Sequence, residues 1–177
     1  VTITNNTALS GGGGMVLSDS NPTLTHVIIS NNTALNGGGV GAFDSNPTLT
    51  HVTISNNTAT EYGGGGMWLK GSTSTLNHVT ISNNNAARYG GGMYLDYSTL
   101  TLNHVTISNN NTDDAGGGMY LTYCISIMRN SIIWGNSPES ISVLNGGTPI
   151  ITYSDIEGGW EGEGNINADP LFTDPEN

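Results

Sequence analysis

The chain has 177 residues and a formal net charge of −11, with 3 Lys plus Arg against 14 Asp plus Glu. So few cations exclude a nucleic-acid partner, and the absence of any run of 18 apolar residues excludes membrane insertion of this segment by a helix. The single Cys124 excludes an intrachain disulfide framework, and 26 Gly, 23 Asn and 22 Thr are poor material for helices.

The order of those residues is periodic. Val-Thr-Ile-Ser-Asn-Asn or a close variant starts at Val1, Val27, Val52, Val79 and Val105, and a degenerate copy starts at Ser131. The steps are 26, 25, 27, 26 and 26 residues. Each copy opens with a Val-x-Ile segment ending in Asn-Asn. A glycine run follows and leads into an apolar alternation such as Met119-Tyr120-Leu121. A Thr/Leu alternation such as Thr99-Leu100-Thr101-Leu102 completes the copy. All three alternate with period 2, which predicts three short strands, each with one buried face. A single copy cannot bury that face, but a stack of copies can. The expectation is an all-β, right-handed, single-stranded parallel β-helix. It has about six coils of roughly 26 residues, three short strands per coil and a length of about 29 Å. Coils are expected over residues 1–145, and a last partial coil with an acidic capping or linker segment over 146–177.

Parity assigns the core. Val27/Ile29, Met67/Leu69 and Leu76 represent three inward columns, one per strand. Two polar columns run beside them. Asn6, Asn32, Asn57, Asn84, Asn110 and Asn136 hold one position in all six copies, where stacked amides can bond one another. His26, His51, His78 and His104 precede the first strand of successive copies and should stack at about 5 Å. Parallel rings in such a ladder do not converge on one ion, so the expected role is structural. The glycine runs mark a bend that needs positive φ or close backbone approach.

The Asn-x-Ala step before Gly-Gly-Gly-Met-x-Leu resembles right-handed parallel β-helix repeats of the pectin-lyase-like superfamily. Asn32-Thr33-Ala34 with Gly37-Gly38-Gly39-Val40, and Asn57-Thr58-Ala59 with Gly64-Gly65-Gly66-Met67, carry the likeness. It extends to bacterial polymorphic outer-membrane-type surface proteins. The segment from Tyr153 to Phe172 resembles the closing segment of such helices. The resemblance implies an exported bacterial product, extracellular or on the cell surface. This fold hosts lyases, hydrolases, adhesins and spikes alike.

Several groups are candidates for chemistry. Trp68, Tyr94 and Tyr120 fall on the outward side of the second strand, with Tyr97 and Tyr123 three residues after the two tyrosines. A flat aromatic strip on a rod suits stacking against sugar rings, so a polysaccharide or cell-surface partner is expected. For an enzyme, Asp19, Asp44 and Asp96 with Lys70 form a suggestive row, but cations are too scarce for a polyuronate clamp. Asn111-Thr112-Asp113-Asp114 crowds its carboxylates into one turn, unlike the pair spanning a glycosidic bond. No catalytic residue is assigned, and polysaccharide lyase or glycoside hydrolase is the alternative reading. Residues 131–177 carry eight acidic side chains and no Lys or Arg. Among them Asp155, Glu157, Glu161, Glu163 and Asp169 are hard oxygen ligands of the type Ca²⁺ takes. Val1 already opens a repeat. The expectation is therefore a fragment, a processed chain or an end covered by a partner, with a homo-oligomer or head-to-tail filament as one outcome.

Overall fold

The computed structural model describes residues 1–173. Among these, strands are the only regular elements. Three long parallel sheets run up the molecule. The first has seven strands: Thr2–Thr4, Ile28–Ser30, Thr53–Ser55, Thr80–Ser82, Thr106–Ser108, Ile132–Trp134 and Asp155–Ile156. The second stacks Met15–Ser18, Val40–Phe43, Met67–Lys70, Met93–Asp96, Met119–Thr122 and Ile141–Leu144. The third stacks Thr23–Thr25, Thr48–Thr50, Thr73–Asn77, Thr99–Asn103, Ile125–Arg129 and Thr148–Thr152. Neighbouring strands are successive coils, and like residues pair: Met67 with Met93, Leu76 with Leu102, Ile81 with Ile107. The architecture is the expected β-solenoid of about six coils.

A fourth, four-stranded sheet was not anticipated. It comprises Thr33–Ala34, Thr58–Ala59, Asn85–Ala86 and Asn111–Thr112. Two residues are too short to display a period. Their inward side chains, Ala34, Ala59 and Ala86, are fully buried and small enough for this narrow corner.

The core follows parity. Ile29, Ile54, Ile81 and Ile107 are wholly buried, as are Met67, Leu69, Met93 and Leu95, and Leu49, Leu76 and Leu102. Full burial of such a side chain contributes about 1.5–3 kcal/mol, repeated along three columns. The glycine bend uses both of its liberties. Gly37 has φ of 58°, and a Cβ on Gly38 would stand 2.5 Å from the Thr58 carbonyl carbon and 2.6 Å from the Gly65 oxygen. Only glycine lets the coils close there.

The asparagine ladder forms as expected. Asn32 Nδ2 donates to Asn57 Oδ1, Asn57 to Asn84, Asn84 to Asn110 and Asn110 to Asn136, each at 3.0 Å. The second amide hydrogen goes to an isoleucine carbonyl one coil back, as from Asn84 to Ile54 at 3.0 Å. Each oxygen also accepts a main-chain N–H, so a buried turn has every polar group paired. Asn6 joins at the exposed first coil through a 2.9 Å bond to Asn32.

A serine ladder went unread in the sequence. Ser45 Oγ, Ser72 Oγ and Ser98 Oγ accept the N–H groups of Ser20, Ser45 and Ser72 at 3.1–3.2 Å. Cys124 takes the next rung, and burial pushes its thiol up.

Candidate functional site: an aromatic groove on the second sheet

The outward face of the second sheet carries Trp68, Tyr94 and Tyr120 in register with one another. Strand alternation points these rings away from the core. They do not make a flat exposed strip, however. Tyr94 is 6% exposed and Tyr120 is 7% exposed. Tyr62 and Tyr89, from the turns before the glycine runs, close over them. Tyr62 lies 5.4 Å from Tyr89 and 5.8 Å from Tyr94, and Tyr89 lies 4.7 Å from Tyr120 between centroids. The physical reason is the usual one for aromatic surface, which gains by covering itself when a neighbouring turn can reach. Burial raises the phenol of Tyr94, and the neighbouring Tyr62 hydroxyl and Asp96 carboxylate add to the shift. Burial also raises Tyr120.

Trp68 stays half-buried at the margin of this cluster. Its ring stacks parallel to Tyr94 at 6.1 Å and meets Phe43 edge-on at 5.1 Å. Beside it opens a groove of about 490 Å³, lined by Asn36, Glu61, Tyr62, Trp68, Lys70, Arg88, Tyr94 and Asp96. Two of the three Lys and Arg residues of the chain are here, facing two carboxylates. The groove is electrically balanced in a molecule of charge −11. Arg88 is fixed by a 3.2 Å bond from Nε to Asp114 Oδ2 and lies 5.8 and 5.4 Å from the Tyr62 and Tyr89 ring centroids.

Two atoms in this wall lack a partner. Asn36 Oδ1 and Trp68 Nε1 are both shielded from solvent and make no hydrogen bond. One is an acceptor and the other a donor, and both residues are among those lining the groove. An orphaned buried polar atom is costly, and Ser74 Oγ, Thr112 Oγ1 and Ser140 Oγ are left the same way elsewhere in the solenoid. Sequence reasoning noted Tyr62 and Tyr89 ahead of the glycine runs but missed Asn36, Glu61 and Arg88 as groove residues, because their turns depart from the repeat.

Other expected groups fall elsewhere. Tyr97 and Tyr123 stack at 4.6 Å on the corner between the second and third sheets, outside the groove, and are 63% and 51% exposed. Lys70 and Asp96 share a row, whereas Asp19 and Asp44 sit one residue later in the corner position with positive φ, so the suggested row of four is not one row. Asp113 and Asp114 are exposed in their turn, and Asp114 serves Arg88.

The five acidic residues of the tail do not assemble. Asp155 Oδ1 accepts the Ala168 N–H at 3.1 Å, Glu157 Oε2 accepts the Gly135 N–H at 2.7 Å and Asp169 Oδ1 accepts the Leu171 N–H at 2.9 Å. Glu163 accepts the Tyr153 hydroxyl, raising that phenol, and Glu161 is exposed. Each carboxylate serves a different donor, which spreads them apart. Among the described residues no three His, Cys, Asp or Glu gather as metal ligands. Trp160 packs against the core end, while Leu171 and Phe172 remain exposed. Asp174 and Glu176, counted in the acidic tail, lie outside the described residues.

No curated protein and no solved structure matches the chain. The family model described as a right handed beta helix region matches residues 1–156, the whole span of stacked strands. The chain therefore belongs to the right-handed β-helix family.

Proposed function

We propose that this chain is a non-catalytic rigid region of a secreted or cell-surface bacterial protein, and that it adheres to polysaccharide through the groove beside Trp68. The observation that carries this reading is the open groove beside Trp68, walled by Trp68, Tyr62 and Tyr94 and edged by the polar side chains of Asn36, Glu61, Lys70, Arg88 and Asp96. A sugar hydroxyl both donates and accepts, and a pyranose face stacks on an indole. The open groove admits the middle of a chain as readily as an end. The Asn-x-Ala and Gly-Gly-Gly-Met-x-Leu motifs support the surface-protein assignment through their likeness to polymorphic outer-membrane-type and pectin-lyase-like repeats. A glycan array probed with the purified chain tests the binding. Trp68→Ala is expected to weaken the best array signal at least about tenfold, with circular dichroism confirming that the variant remains folded at the assay temperature. Unchanged binding in that variant refutes the reading.

Glu61 and Asp96 in the same groove favour a second reading, a glycoside hydrolase. Release of reducing ends from the bound glycan, lost in Glu61→Gln or Asp96→Asn, would establish it over adhesion.

A further inference from the structure

His26, His51, His78 and His104 form a second chemical surface, remote in role from the groove. All four are exposed and all four have φ of 52–53°, at the corner between the third and first sheets. Their main-chain groups belong to the ladder: the N–H groups of His51, His78 and His104 donate to the carbonyls of Asn77, Asn103 and Arg129. The rings stand in solvent at centroid spacings of 5.1, 4.9 and 4.8 Å, with interplanar angles of 23°, 31° and 1°.

We propose that adjacent imidazoles of this column chelate late first-row divalent transition ions, one ion per pair and two per column. Two nitrogens on one tetrahedral ion, each at about 2.0–2.1 Å, stand about 3.3 Å apart. Rings about 5 Å apart at their centroids reach that separation by tilting toward each other; of the two pairs that share no ring, His26 and His51 are already 23° off parallel, while His78 and His104, at 1°, turn on binding. Three rings in a row cannot reach one ion, in agreement with the absence of any three-ligand group among the described residues. The sites are therefore pairs. The flanking outward rows hold Thr25, Thr50, Asn77 and Asn103 on one side and Ile28, Thr53, Thr80 and Thr106 on the other. Charged side chains enter these rows only beyond His104, at Arg129 and Asp155, and the Val1 ammonium donates to the His26 carbonyl at 3.1 Å. With imidazole and no carboxylate, the column favours Cu²⁺, Ni²⁺ and Zn²⁺ over Ca²⁺ or Mg²⁺.

Adjacency is the property to test. Asn130 already occupies the same corner with φ of 50°, so His→Asn keeps the backbone. His26→Asn/His51→Asn leaves the neighbours His78 and His104. His51→Asn/His78→Asn also leaves two imidazoles, but three coils apart. Cu²⁺ titration at neutral pH by calorimetry, with electron paramagnetic resonance to count ligating nitrogens, should give two ions on the parent chain. The first variant should keep one ion with two nitrogens. The second should bind at least about tenfold more weakly through one nitrogen, since the second ligation is no longer intramolecular. Equal binding by the two variants, or four equivalent one-nitrogen sites on the parent chain, overturns the proposal.

Discussion

Replacing Asn84 by Ala removes four hydrogen bonds from the middle of the solenoid. Asn84 is 1% exposed. Its Oδ1 accepts from the Asn57 main-chain N–H at 2.9 Å and from Asn57 Nδ2 at 3.0 Å, and its Nδ2 donates to the Ile54 carbonyl and to Asn110 Oδ1 at 3.0 Å each. A hydrogen bond contributes about 1 kcal/mol net, and the stranded partners are themselves buried, so the loss should be about 4 kcal/mol. That is a large share of the ~5–15 kcal/mol typical of a domain. The same substitution at Asn6 breaks bonds to Thr4 and Asn32 in the exposed first coil, where water replaces them, and should cost less than about 1 kcal/mol. Urea unfolding followed by circular dichroism measures both, with an unchanged slope as the check that the same surface is exposed. Equal losses at Asn84 and Asn6 would refute the ladder as a source of stability.

Burial raises the phenols of Tyr94 and Tyr120. The unfolded chain then ionises first, so stability is full below about pH 10 and falls as the pH rises toward the native values. Alkaline titration by phenolate absorbance should find these two tyrosines late, and Tyr94→Phe should lessen the alkaline loss. Simultaneous ionisation of all seven tyrosines near pH 10 would contradict the covered cluster. Cys124 Sγ donates to the Thr122 carbonyl at 2.9 Å as Ser98 Oγ does to that of Asp96. Cys124→Ser should therefore shift stability by no more than about 0.5 kcal/mol, and the native thiol should react slowly with alkylating reagents until the chain is unfolded.

The solenoid was legible because its physics is periodic. A strand that pairs with its own copy one coil later must repeat its parity, and Val79/Ile81 with Val105/Ile107 do so visibly. The Asn84 position was legible for the same reason, since a buried amide can be satisfied only by another at the same place in the next coil. The serine ladder was hidden because Cys124 breaks its chemistry in one-letter form while keeping its hydrogen bond. The groove was half legible. Trp68 lies on a periodic strand, but Asn36, Glu61, Tyr62 and Arg88 lie in turns of unequal length, including the 27-residue coil with its extra glycine. Where such a turn folds back depends on what it can cover, and outward parity alone left Tyr94 and Tyr120 looking exposed. The tail carboxylates carried composition without direction, and each was taken by a local donor.

The most direct test of the adhesive account is the indole N–H resonance of Trp68 in a ¹⁵N-labelled chain, assigned with Trp68→Phe. It is one of three indole signals, beside those of Trp134 and Trp160. Adding the oligosaccharide that gives the strongest array signal should move the Trp68 signal, as a sugar ring settles against the indole, and leave the other two in place. No movement of the Trp68 signal at saturating oligosaccharide, or equal movement of all three, would contradict the groove as the binding site.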